Sequence, residues 1–525
     1  MKNYLLLFLA SAILLFSNIW GQPLYILDEA KNASCAREML ESENPIVPTF
    51  NYSLRTDKPP LHYYFMMLSY SMFGVNEFAA RFFSSVFGVL SVLITYGFSR
   101  RYLSESAAVW AAVVLLSSLH YNLQFHFSVP DPYLIFFLTL AFFSFFAAVK
   151  ESAPKFFYLF YAALAFGTLS KGPVAIALPG LILLIYLLLK KDLTLKRIFG
   201  MRLISGGLLF LLIAVPWYVM VGLATDFEWT NSFFLKHNVG RFTETMEGHG
   251  GIFLITPIFA FVGLLPFSIF LVQAIRKSWQ ARETDLLLFS LIISAVFIGF
   301  FSVSQTKLPN YIVPSYPFLA IILGNFLASL ENGETAKSQK LGISYGAYLF
   351  LMLLVPAAAY FALPLEKALA GLQYLAAVFL LLPFGAAFAC VFYLKKNPAM
   401  ANRVMAGSFM LTTLLFFYVV FPRIYMENPV ARSLPKMDTE QPIAYYKRLN
   451  PSFAFYLRKP IPKLETEKEV RDYLEEHPKA YIITSRRDFR EISEVADFEI
   501  LMERKDTFER PVTMVVTPKT PMCDN

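Results

Sequence analysis

Charge is scarce in this sequence: Asp, Glu, Lys and Arg together make up 16% of its 525 residues. Soluble domains carry nearer to a quarter. An ordinary soluble globule is therefore excluded, and a hydrophobic content of 56% points to a chain built for a membrane. Cysteine is scarcer still. Cys35, Cys390 and Cys523 fall at no metal-like or redox spacing, and their number is odd. A glycine phosphate loop is missing too: "LSKGPVAIALPG" lacks the G-x-x-x-x-G-K-[ST] spacing, which excludes a nucleotide site of that kind. No internal repeat or low-complexity tract stands out. The formal net charge is +8, but the basic residues sit in short runs between apolar segments rather than on one nucleic-acid-binding face.

What is present is a series of apolar stretches long enough to cross a hydrocarbon core, about thirteen in all. They fall at 4–20, 79–98, 107–121, 132–149, 156–170, 173–189, 203–222, 253–274, 285–303, 310–330, 343–362, 370–394 and 403–422. The first has the lysine and apolar core of a signal peptide. It lacks a clean small-x-small cleavage site and reads as a retained helix. With the N-terminus in the cytosol, the short cytosolic loops hold Arg100 and Arg101, Lys150 and Lys155, "KKDLTLKRIFGMR", "RKSWQARE", Lys337 and Lys340, and Lys395, Lys396 and Arg403. The opposite loops keep isolated cations such as Lys171, Lys307 and Lys367. That asymmetry follows the positive-inside rule and puts the C-terminal region outside.

Three non-membrane segments then share the outer face: residues 21–78, 223–252 and 423–525. In the first, Leu61 to Phe73 is apolar but too short to span, and reads as an interfacial helix. In the third, "AYIITS" and "VTMVVT" read as strands and "TEKEVRDYLEEH" as an amphipathic helix, giving a small α/β domain. The transmembrane part is thus 1–422, with loops 21–78 and 223–252 building the site, and 423–525 is a separate domain.

Ionisable groups near the helix ends of so apolar a chain invite a functional reading. Asp28 and Glu29 follow the first span. A helix N-cap with a solvated acid explains them structurally, while a carboxylate just above the hydrocarbon is also placed to activate an acceptor. Lys58 follows Asp57 and precedes two prolines that force an extended turn; it reads as a phosphate binder or as a snorkelling lysine. Asp131, between two prolines, is explained by an N-cap as well as by chemistry. "SQTKLPNYIVPSYP" sets Lys307 and Tyr311 where a lipid-borne phosphate would lie. "KHNVGRFTETMEGHGG" adds His237, Arg241, Glu244, Glu247 and His249. His249 with Asp57 offers two ligands for a divalent ion, an incomplete shell for zinc.

In order, "LDEAKNASCAREML", "DKPPLHYYF", "NEFAARFFS", "PDPYLIFFLTLAFF", "SKGPVAIALPG", "PWYVMV", "HNVGRF" and "KLPNYIVPSYP" resemble the aminoarabinose–lipid A transferase family. That family is related to the protein O-mannosyltransferases and has the GT-C fold. The resemblance covers nearly all of residues 1–320. It implies a polytopic α-helical membrane enzyme at the bacterial inner membrane, an undecaprenyl-phosphate sugar donor, and transfer on the periplasmic side. Lipid A is the acceptor implied; a protein or another envelope glycan is the alternative acceptor. A lipid flippase is the reading from a different class, and it would call for inverted repeats or midplane charges that the spans lack. By the resemblance, Asp28 and Asp131 are the catalytic acids. Lys58, Lys307, Tyr311, Arg241 and Lys31 line the donor phosphate, and Asp57 and His249 stand where family members bind zinc. The sequence departs from the family at three places. Asp57 replaces a more typical Glu, Lys31 replaces a more typical Arg and loses its bidentate fork, and "EGHGG" lacks the usual aromatic-rich continuation.

Overall fold

In the computed structural model, which describes residues 2–240, 250–333 and 341–519, each apolar stretch coincides with a helical segment. Among the described residues, eight helices are long and apolar enough to cross a membrane, or up to ten if two bent pairs are each one span. The bent pairs are Glu105–Ser117 with Leu119–Phe125, at 71°, and Ile255–Gly263 with Phe267–Gln280, at 115°. Both breaks have local causes. Ser118 is extended, and its hydroxyl accepts from the Tyr121 amide, capping a new helix. Pro266 lies within the second break, just before Phe267, and brings no amide hydrogen. The two breaks meet, since the Ser118 hydroxyl donates to the Gly263 carbonyl.

The first apolar stretch is shorter as a helix than the sequence suggests, ending at Leu15. Asn18 adopts a left-handed conformation (φ 52°) and its side-chain amide donates to the Phe417 carbonyl, turning the chain sideways. The chain then enters the helix Leu27–Glu41. A hairpin follows, β1 (Thr49–Phe50) with β2 (Ser53–Leu54), and then the helix Leu61–Phe73. That helix buries Leu61, Tyr63, Met66 and Tyr70 and leaves Leu68, Met72 and Phe73 exposed, as suits a helix lying on a membrane.

The C-terminal module carries five strands: β3 (Ile443–Tyr446), β4 (Lys463–Leu464), β5 (Tyr481–Ser485), β6 (Phe498–Lys505) and β7 (Val512–Pro518). Their order is β4-β3-β5-β7-β6, with β3 parallel to both neighbours and the β5–β7 and β6–β7 pairs antiparallel. The helix Glu467–Glu476, capped by Thr466, packs Val470 and Leu474 into its core. The module is fastened to the first loop by polar contacts that exclude water. Arg37, fully buried, donates to the carbonyls of Ala454 and Phe455 at 3.0 and 3.4 Å. Asn51 exchanges two hydrogen bonds with the backbone of Ile461, and Ser452 donates to the Leu24 carbonyl.

The helix Leu27–Glu41 is held from its other side by a buried ion pair. Arg81 Nε meets Glu29 Oε1 at 2.8 Å and its Nη2 meets Oε2 at 2.9 Å, both residues being fully buried. The spare guanidinium hydrogens go to the carbonyls of Ile19, Gln22 and Pro23, and Ser128 donates to Glu29. Glu29 is therefore neither a cap nor a solvated acid. Removing one partner of such a pair strands the other charge at a cost of about 3–5 kcal/mol. Arg81→Met is expected to lower the thermal midpoint of the detergent-solubilised protein sharply, and Glu29→Gln added to it to recover part of the loss.

Candidate active site

Asp28, Asp57, Lys58, Asp131, Lys171 and Tyr311 gather at one end of the helical bundle. The order of the chain explains why. Asp131 starts the helix Asp131–Lys150, and Lys171 ends the helix Lys155–Lys171, which runs back. Asn310 and Tyr311 lie in the turn Pro309–Ser315, which precedes the helix Tyr316–Glu331. Lys150 and Lys190 both pair with Asp285 at the opposite end.

Between these elements lies a cavity of about 470 Å3. Its polar end is formed by Asp57, Lys58, Asp131, Lys171, His237, Asn310 and Tyr311, and its depth by Leu134, Leu138, Val174, Leu178, Phe297 and Phe300. One end can take a charged group and the other a hydrocarbon chain. The segment 223–240 closes one wall: Trp229 Nε1 donates to the Arg55 carbonyl at 2.8 Å, and the hydroxyls of Thr56 and Ser232 are 2.8 Å apart.

Three ion pairs set the electrostatics. Asp57 is gripped on both oxygens by Arg55, Nε to Oδ1 at 2.5 Å and Nη2 to Oδ2 at 3.1 Å, while Arg55 also donates to Asn32. Although burial opposes it, the Arg55 guanidinium holds the Asp57 carboxyl far below the usual range. Asp131 accepts from Lys171 Nζ at 2.5 Å and from Asn310 Nδ2 at 3.0 Å, and the Lys171 ammonium lies 4.9 Å from the centre of the Tyr311 ring. Asp131 is thus tied across to another helix and makes no cap bond at its own helix start. The third pair is loose: Lys58 Nζ is 3.8 Å from Asp28 Oδ2. Lys58 is 6% exposed at its side chain and Asp28 51%. Lys58 is the main cause of a lowered Asp28 pKa, helped by Arg55 and Lys31. His62, buried beneath the turn, is held neutral, with a pKa far below normal owing first to burial and then to Arg55 and Lys58.

Lys31 sits half-buried one helical turn beyond Asp28, close enough to act on both Asp28 and Asp57. Lys307 takes another direction. It is buried and donates to the Ser304 carbonyl at 2.5 Å, and the lysine lining the cavity beside Asp131 is Lys171. Arg241 and His249 lie outside the described residues, as do Glu244 and Glu247. Among the described residues no group of three or more His, Cys, Asp or Glu side chains could hold a metal ion. The Asp57 carboxylate already serves Arg55 with both oxygens, so it fits a salt bridge better than a zinc shell. Sequence reasoning missed Arg55 and Arg81 as the partners that immobilise Asp57 and Glu29. The signal was there, an arginine two residues before Asp57 and another beside the apolar span in "NEFAARFFS".

The chain is similar to several known proteins. The family model described as dolichyl-phosphate-mannose-protein mannosyltransferase matches residues 57–220. An uncharacterized protein of Aquifex aeolicus is 31% identical over 67% of this chain and 78% of its own length. Over residues 57–220 the chain is thus similar to this mannosyltransferase family, and its named homologues are glycosyltransferases that use lipid-linked sugar donors. The undecaprenyl phosphate-alpha-4-amino-4-deoxy-L-arabinose arabinosyl transferase of Edwardsiella ictaluri is 30% identical over 60% of this chain. The matched region spans 58% of that enzyme, less than two thirds of its length. The crystal structure of apo ArnT from Cupriavidus metallidurans superposes with a TM-score of 0.81, 22% identity and 98% of both chains covered. The same enzyme bound to undecaprenyl phosphate gives 0.79. The likeness establishes a shared helical GT-C fold in a multi-pass membrane protein.

Because Asp28 and Asp57 have lowered pKa values, the stability they contribute is complete above the normal carboxylate range. It is lost progressively as pH falls from that range through the depressed values. The thermal midpoint of the wild-type protein is therefore expected to owe no change to these groups between pH 8 and about pH 5. In Lys58→Met, the Asp28 pKa moves back toward its unfolded value, so the stability that Asp28 adds above that range, and the part of the acid loss due to it, become smaller. A pH series of unfolding curves for the two proteins checks this.

Proposed function

We propose that the protein transfers a sugar from undecaprenyl phosphate to an envelope acceptor, with lipid A the acceptor that the family resemblance implies. The observation that carries this reading is the cavity, whose polar end holds Lys58, Lys171 and Tyr311 above an apolar shaft. A lipid phosphate fits such an end and a prenyl tail such a shaft. The proposed orientation follows the loop charges: thirteen spans, N-terminus in the cytosol, and the site and C-terminal module in the periplasm.

The chemistry follows from charge. Breaking the bond between a sugar and a lipid phosphate leaves negative charge on the departing oxygen. Lys58, Lys171 and the Tyr311 hydroxyl would stabilise it, with Lys31 nearby and Arg241 from the second loop. Asp28, ionised and half-exposed beside Lys58, would face the anomeric carbon. It would take the proton of a hydroxyl acceptor; with a phosphate acceptor, already an anion, it would position the nucleophile or support the positive charge on the sugar. Direct displacement with inversion fits a single acid in that position. Asp131 would keep the Lys171 ammonium aimed at the phosphate.

Two variants in a purified donor–acceptor assay test the assignment. Asp28→Asn is expected to keep donor binding and lose about 10²–10⁴-fold in transfer. Lys58→Ala is expected to weaken donor binding about tenfold or more, the scale of one charge-assisted hydrogen bond. Wild-type turnover by Asp28→Asn would remove the catalytic role. Mass spectrometry of lipid A and of envelope proteins from a deletion strain settles the acceptor, and loss of the sugar from protein alone would favour the protein-directed activity named by the family model.

A further inference from the structure

The turn that joins β6 to β7 breaks two local preferences at once. Its residue Phe508 lies in the left-handed region at φ 65° and is 65% exposed. A bulky residue there costs about tenfold in conformer population against glycine, and turns of this kind draw Gly, Asn or Asp. Its predecessors are sequestered: Asp506 is 0% and Thr507 3% exposed. Arg448 brackets the turn by pairing with Asp506 and Glu509, so the tip is held in shape around one protruding ring.

The tip also points at the helical bundle. The Thr507 amide donates to Tyr25 Oη at 2.8 Å, and Arg504 donates to the Ala368 carbonyl at 3.1 Å and pairs with Glu427. Lys505 pairs with Glu366 at 2.5 Å. Ala368 and Glu366 belong to the short connection between Leu341–Leu365 and Gln373–Leu394, two of the apolar helices. The turn therefore stands at the level where those helices end. At that level the bundle exposes other apolar side chains, Phe361 at 71%, Leu365 at 85% and Tyr374 at 60%. Rings at the ends of membrane spans mark the boundary between headgroups and acyl chains.

We propose that the β6–β7 turn is a membrane-docking wedge, with Phe508 inserted among the acyl chains of the leaflet on the active-site side. The bilayer supplies what the turn lacks, an apolar surrounding for a ring that the backbone disfavours and water excludes. The C-terminal module is then held against the first loop at one edge and against the lipid at another. The proposal rests on the membrane assignment of the helices and on neither the donor nor the acceptor reading.

The test uses the full chain in nanodiscs of phosphatidylethanolamine and phosphatidylglycerol. A spin label at Phe508→Cys, in a Cys390→Ser, Cys523→Ser background, is compared with labels at Glu475→Cys and Glu499→Cys on the exposed surface of the module. The label at 508 is expected to collide readily with oxygen and to be shielded several-fold from a water-soluble nickel chelate. Nickel access equal to that of the two controls overturns the proposal. Where the labelled variant fails to fold, limited proteolysis in nanodiscs replaces it. Phe508→Asp is expected to be cut at the module several-fold faster than wild type, with Phe508→Leu unchanged; equal rates for all three overturn it. Neither readout involves sugar transfer, so its outcome is separable from that of the proposed function.

Discussion

The site is organised around the buried Glu29–Arg81 pair. Consecutive residues on a helix point about 100° apart. Once Glu29 is drawn into the bundle by Arg81, its neighbour Asp28 must face another way, here toward Lys58 and open space. One acid of the pair is spent on fixing the helix and the other is left with half its surface free. Arg37, eight residues beyond Glu29, fixes the same helix to the C-terminal module. The helix is thus pinned at two places, and the acid at its first turn has little freedom of direction.

Much of the architecture could be read from the sequence because hydrophobic length and period speak directly to helices in lipid. The stretch Leu61–Phe73 is a helix with the bounds its apolar run suggests, and "AYIITS" and "VTMVVT" lie in β5 and β7. The bends at Ser118 and Pro266 were not legible, since each is an apolar run interrupted by a single residue. Partner choice was the other gap. Lys171 and Lys307 look alike in sequence, each followed closely by proline near a helix end. Only packing turns the first toward Asp131 and the second toward the Ser304 carbonyl. Asp131 likewise reads as a helix cap until Lys155–Lys171 is seen returning beside it.

The charges of the site are nearly balanced among themselves, and this has a consequence for a membrane chain. Arg55 with Asp57 and Lys171 with Asp131 bring ions to the head of an apolar cavity without leaving any of them uncompensated. The polar end can then be built and kept in the resting protein. An isolated lysine in the same place would lose its proton or draw in water.

The lengths of the pairs divide the labour. At 2.5 Å, Arg55–Asp57 and Lys171–Asp131 are closed contacts that hold loop and helix ends in register. At 3.8 Å, Lys58–Asp28 is attracted but not closed, and its acid is the most exposed of the three. An incoming phosphate can therefore take the Lys58 ammonium without paying to break a short hydrogen bond. As it does so, Asp28 loses its counter-ion, and its carboxylate becomes a stronger base toward whatever lies beside it. Under the proposed chemistry, binding of the lipid phosphate and activation of Asp28 are then a single event, and the looseness of one ion pair couples them.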